Sequence, residues 1–211
     1  MARIPYFDPQ TAPKATLEAL EGSRKINIFK LIAQSEAAGA NALRLGRSLT
    51  LDGSLDPGVR EVAILRVAKL TGAPYMAHEH HAVSRRTGFS DAKIHAITGY
   101  GSGSGNGNGN DNGRGSDAET AVEAEGEADA EAEAEACELT AFERRLIQFV
   151  DAVVDTTTAA DDLFDDVYAV LGDSKTVELV LVIGFYLMIA RVMNTFRIEL
   201  ETGPVDTFHF G

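Results

Sequence analysis

Asp56-Pro57-Gly58-Val59-Arg60-Glu61-Val62-Ala63-Ile64-Leu65-Arg66-Val67-Ala68-Lys69-Leu70-Thr71-Gly72-Ala73-Pro74 is a helix with both of its ends written into it. Asp56 before Pro57 reads as an N-cap followed by proline at the first helical position, where the missing N–H costs nothing. Thr71-Gly72 supplies the stop, and Pro74 opens a second helix that ends near Thr87-Gly88. Two helices joined by so short a turn fold back on each other, so the stretch predicts an antiparallel helix hairpin. No run elsewhere alternates convincingly at period two, and the predicted fold class is all-α.

Upstream, Asp8-Pro9 and Ala12-Pro13 mark an irregular arm, followed by a short helix from about Lys14 to Glu21. From Asn27 to about Leu51 the apolar residues recur at near-helical intervals around Ala37, Ala38, Gly39 and Ala40, and one helix is expected there. Phe89-Ser90-Asp91 restarts a short helix through Ile94 and Ile97. Residues 101 to 116 are a Gly/Asn/Ser linker, and the Ala/Glu stretch after them repeats like charges four apart at Glu127, Glu131 and Glu135. Residues 101–136 are therefore read as a largely disordered, solvated insert. It separates residues 1–100 from 137–200 of one helical domain, and 201–211 form a tail. In the second part, Thr140 to Asp155 and Asp161 to Leu171 are amphipathic, and Ser174 is expected to cap a long helix from Lys175 to about Ile198. That last helix is apolar on nearly all sides, which suits a core or a subunit interface.

The chain has 211 residues, enough for one sizeable core. Its net charge is −13, but residues 101–138 hold eleven Asp or Glu and one Arg, so only −3 belongs to the rest. That balance argues against nucleic acid, which needs a basic face, and against an anionic membrane. The longest uninterrupted apolar run, Leu179 to Ala190, is twelve residues and too short by itself for a membrane span. The N-terminus has no apolar leader core, and a cytoplasmic protein is expected. Cys137, the one cysteine, cannot form an intramolecular disulfide or a dithiol centre. Glu135 and Glu138 beside it disfavour a thiolate, so it is read as an incidental exposed thiol.

Glu61 on an otherwise apolar helix needs a partner, because an isolated buried carboxylate is costly. It lies eleven residues before Gly72 and His80 eight after it. At about 1.5 Å per residue their axial offset is only roughly 5 Å. The hairpin thus brings a carboxylate beside an imidazole, a couple suited to proton transfer, with a structural ion pair as the alternative. His78 and His81, three apart, offer two metal ligands, but no third is evident, and Glu79, Glu178 and Glu36 are the carboxylates that could approach. They are read as solvated or core histidines, with metal binding as the weaker alternative. Tyr75, Arg66, Tyr186 and Arg191 are candidates for substrate binding, since an arginine can clasp a carboxylate through two N–H groups. Arg191 could equally be the snorkelling end of a buried helix; Arg60 and Arg66 flank Glu61 with the same ambiguity, and no cofactor is called for.

The stretch from Glu61 to Gly88 resembles the carboxymuconolactone decarboxylase family, which includes the alkylhydroperoxidases. Members of the latter branch carry a Glu, then Cys-x-x-Cys-x-x-x-His, then a Gly eight residues on. In that frame Glu61, His80 and Gly88 match, while the cysteine positions hold Ala73 and Met76. A second family pattern, Tyr-Glu-Trp-x-x-His, is met at Tyr75 and His80 but has Met76 and Ala77 between them. Val177-Glu178-Leu179 through Asn194 also looks like the family's C-terminal helix, so the likeness covers about 3–100 and 139–200. It implies an alkylhydroperoxidase-like helical domain assembled as a homo-oligomer, a trimer or hexamer. It further implies acid–base chemistry on a small organic acid or lactone, by resemblance a decarboxylation. A thiol peroxidase is disfavoured by the missing pair. A non-catalytic helical oligomer that binds a ligand or metal is the alternative from another class.

Overall fold

Asp56 caps its helix in the computed structural model, its Oδ1 accepting from the N–H of Gly58 at 2.8 Å and of Val59 at 3.2 Å. The structure describes residues 2–35, 37–101 and 138–209. In chain order the helices are α1 (Lys14–Leu20), α2 (Asn27–Ile32), α3 (Gly39–Arg47), α4 (Pro57–Leu70), α5 (Pro74–Arg86), α6 (Asp91–Gly99), α7 (Ala141–Thr156) and α8 (Asp161–Phe196). Among the described residues there is no strand, only one isolated antiparallel bridge between Arg24 and Thr207. Of the insert read over 101–136 only Gly101 is described, and Cys137 and Glu36 also lie outside the described residues.

Helix α4 is the axis of the fold. Every residue from Arg60 to Ala68 is buried, because α5, α6, α7 and α8 all pack on it. A helix enclosed on all sides is apolar all round, and Val62, Ile64, Leu65 and Val67 form the centre of the main core with Leu146, Phe149, Leu179 and Ile183. Gly72, at φ +55°, turns the chain into α5. Thr140 and Glu143 close a reciprocal capping box at the start of α7. Lys93 of α6 then meets Glu143 at 2.5 Å and ties the two helices.

Two readings need correction. The single helix expected over 27–51 is α2, turns at 33–34 and 37–38, α3 and a wide π-helical turn at Ser48–Asp52. The small residues serve the break between α2 and α3. A Cβ on Gly39 would stand 2.5 Å from the carbonyl oxygen of Ile32, so only glycine lets α3 start against the end of α2. Likewise the break before the last helix is at Gly172 (φ 69°, ψ −179°), and Ser174 lies inside the following helical segment without capping it. Gly172 takes a backbone conformation that other residues avoid, and the Thr176 hydroxyl donates to its carbonyl at 2.8 Å.

Taken whole, α8 is long and apolar enough to cross a bilayer, with a mean hydropathy of 2.0 over eighteen residues, which the twelve-residue run alone does not reveal. In this structure it is a core helix: Leu179, Val182, Ile183 and Ala190 are buried. Its Glu178 accepts hydrogen bonds from the backbone N–H of Ser54 and Leu55 at 2.9 and 3.1 Å.

A smaller cluster of Phe7, Leu20, Ala33, Leu43 and Phe208 joins α1–α3 to the C-terminal tail. The tail is docked. Asp206 and Phe208 accept from the N–H groups of Lys25 and Gly22 at 2.7 and 3.0 Å, and Phe208 donates to Ser23 at 2.8 Å. His209 Nδ1 lies 3.1 Å from Glu21.

Candidate active site

Glu61 projects from α4 toward α5 and is 1% exposed. Its Oε2 meets Nδ1 of His80 at 2.9 Å, and the Ser84 hydroxyl, one turn further along α5, donates to the same oxygen at 3.4 Å. The hairpin therefore produces the juxtaposition that its register predicts. With the carboxylate on Nδ1, the imidazole carries that proton and presents Nε2 as its free nitrogen. Tyr186 of α8 stands against the ring edge to face, centroids 5.1 Å apart. Burial, and then the negative charge of Glu61, raise the Tyr186 hydroxyl above its ordinary pKa, with Arg60 opposing. It stays protonated, a fixed neutral donor.

Glu61, His80 and Tyr186 line a cavity of about 420 Å³ between the α1–α3 segment and the faces of α4, α5 and α8. Its walls are mainly apolar, with Ile26, Phe29, Leu43, Phe185 and Ile189 among them. Tyr75 also faces it and donates to Oε1 of Glu201 in the tail at 2.6 Å. Burial and that hydrogen bond raise the Tyr75 pKa as well. The same Glu201 oxygen accepts from the Asn27 N–H, so the tail holds one wall in place.

Not every candidate from the sequence converges here. Arg66 clasps Asp151 of α7 through Nε at 2.5 Å and Nη2 at 2.8 Å, and donates to the Ile97 carbonyl at 3.2 Å. It is a tie between helices, away from the cavity. Arg191 is exposed, outside the cavity, and donates back to Leu187 of its own helix at 2.9 Å. His78 is exposed and His81 half-buried. Burial, followed by the neighbouring Arg85, lowers the His81 pKa. Among the described residues no three His, Cys, Asp or Glu side chains converge on a metal position. Glu79 is instead paired with Arg24 at 2.6 Å.

No protein-family model matches the chain, and no curated protein does. Among solved structures it is similar to a protein of unknown function from Agrobacterium tumefaciens, provisionally assigned to antioxidant defence as AhpD. The identity is 20% and the TM-score 0.57, over 81% of this chain and 94% of that one. The fold is AhpD-like. A second likeness is to an uncharacterized peroxidase-related protein from Silicibacter sp. TM1040, at 14% identity and TM-score 0.65, over 94% of this chain and 90% of that one. At such identities the likeness carries the architecture and leaves the chemistry to the residues.

Within this AhpD-like frame three site residues escaped the reading of the sequence. Ser84 is four residues from His80 and so shares its helix face, a signal that was present and unused. Arg24 and Glu201 come from segments whose approach to α5 no local pattern announces.

Proposed function

We propose that the protein catalyses proton transfer on a small organic acid or lactone in the cytoplasm, with Glu61 and His80 as its acid–base couple. The observation that carries this reading is His80 held by a buried carboxylate at Nδ1 beside a mainly apolar cavity. The resemblance to the carboxymuconolactone decarboxylases suggests a decarboxylation. In that reaction the bond to the departing carboxylate breaks and carbon dioxide leaves. The electron pair stays on carbon as an enolate conjugated to a carbonyl or lactone. His80, in the imidazolium form that keeps Nδ1–H on Glu61, gives that carbon the proton on Nε2, and the neutral imidazole regains one from solvent. In this reading the Tyr186 hydroxyl donates to the developing oxyanion. Screening the purified protein against lactone acids and keto acids, read as carbon dioxide release, tests this. Absence of turnover on every member of both classes would count against it.

Both neighbours are described in terms of antioxidant defence or peroxidases, but the thiol route lacks its residues here. Ala73 and Met76, at the positions of the redox pair, are buried side chains without a thiol. No dithiol-dependent consumption of hydroperoxide is expected, and Cys137→Ser should leave any background rate unchanged. Robust turnover lost in that variant would overturn the expectation.

Assembly as a homo-oligomer, trimer or hexamer, is part of the proposal. Val177, Leu181 and Met188, 61%, 51% and 43% exposed, fall with Gly184 on one face of α8. A row of apolar side chains at helical spacing is the kind of surface that a second subunit covers. Light scattering should give a multiple of the 22.5 kDa chain mass, and Leu181→Glu should reduce it to the monomer. A monomeric wild type would remove this part.

A further inference from the structure

Arg60 lines the cavity, and the acid–base couple leaves its chemistry unexplained. It is 9% exposed, and its buried Nε has no hydrogen-bond partner. No hydrogen bond to a described residue holds the other guanidinium nitrogens, although the charge of Arg60 also reaches Glu178. Its ion partner is Glu61, whose Oε1 lies 3.9 Å from Nε, beyond hydrogen-bond reach. A guanidinium cannot shed its charge in a protein, and buried donors without acceptors are costly. Such an arrangement is compensated when an anion enters the cavity and takes up the forked N–H groups.

The surrounding charge agrees. Arg24 and Glu79 neutralise each other across the wall. Of the remaining charged lining residues, Arg47, Arg60 and Arg86 stand against Glu61 alone. Arg47 and Arg86 are exposed and pair with no carboxylate among the described residues. In a chain of net charge −13, this local positive excess draws organic anions toward the opening. The rest of the wall, Ile26, Phe29, Leu43, Phe185 and Ile189, is hydrocarbon. A second carboxylate seated inside the cavity, away from the exposed Arg47 and Arg86, would lie against that hydrocarbon or against Glu61, both unfavourable.

We propose that Arg60 is a carboxylate anchor, and that the cavity takes organic monoanions with an apolar aliphatic or aromatic body. The carboxylate sits on the guanidinium and the body lies along the apolar wall, so carbons near the anchor come beside His80. This deepens the acid–base reading and rests on it only for what happens at those carbons; the anchoring itself does not need it.

The test is calorimetric titration of the full-length protein with benzoate, butyrate, hexanoate and octanoate, each against its neutral amide. Wild type should bind each acid at least tenfold tighter than its amide, with affinity rising from butyrate to octanoate. Arg60→Met should erase the preference for the acid while keeping the gain with chain length, and Arg60→Lys should restore part of it. His80→Gln should change octanoate binding by less than threefold. Should Arg60→Met fail to fold, the acid–amide comparison in wild type still decides. Equal affinity for acid and amide in wild type overturns the anchor, as does a preference that persists in a folded Arg60→Met. Acid-selective binding without turnover sustains the anchor and removes the acid–base reading. Turnover without acid selectivity does the reverse.

Discussion

Glu61→Gln and His80→Ala are each expected to lower kcat/KM by about 10²- to 10⁴-fold, and the double variant scarcely further. The reason is geometric. Glu61 is 1% exposed and meets the His80 Nδ1 at 2.9 Å, on the side of the ring that faces the core. Its catalytic part is to orient the imidazole and balance its charge, so once either residue is gone the other has little left to do. Independent roles would instead multiply the two losses. A double variant whose loss equals the product of the singles would end the idea of a single unit. Circular dichroism on the same samples separates this from damage to the fold, because a purely structural pair would lower the unfolding midpoint while sparing turnover per folded molecule.

The second large effect concerns stability. Arg66 and Asp151 form a two-bond clasp between α4 and α7, but the two ends differ in burial, with side-chain exposures of 7% and 33%. Removing one partner of a buried pair strands the other. In Asp151→Ala the stranded group is a guanidinium sealed beneath α7, and a loss of about 3–5 kcal/mol is expected. In Arg66→Met the stranded carboxylate can turn to water and the aliphatic stem is replaced, so a smaller loss of about 1–3 kcal/mol follows. Urea titrations of both variants check the order. A greater loss in Arg66→Met would refute the argument. A fall in kcat/KM in a fully folded Arg66→Met would return that residue to the list of substrate contacts.

These two arginines show what the sequence could and could not disclose. They sit six residues apart on one helix, which at about 100° per residue separates them by roughly 120° around its axis. Their roles diverge accordingly, one in the cavity and one in a clasp. Nothing in the local sequence chooses between them, because Asp151 lies 85 residues further on. By contrast the hairpin of α4 and α5 was legible almost to the residue. Asp56-Pro57, Thr71-Gly72 and Pro74 act on the backbone directly, without help from distant contacts. The Glu61–His80 contact followed by counting from that turn. The break inside 27–51 was hidden because it depends on Gly39 meeting the Ile32 carbonyl, a contact that exists only after folding. The position of Gly172 was hidden for a different reason. Ser174 offered a competing N-cap signal, and Thr176 took up the freed carbonyl instead.

Glu201 holds both the Tyr75 hydroxyl and the Asn27 N–H, and Phe208 packs with Phe7, Leu20 and Leu43. This has a consequence for how the protein is born. Residues 19–51 form one wall of the cavity, yet their clamps are translated more than 150 residues after them. A nascent chain still attached to the ribosome, with residues 201–208 inside the exit tunnel, has its hairpin but not its finished chamber. Acquisition of ligand binding therefore waits on residues 201–208, and a polypeptide stalled before they emerge is helical but unable to act.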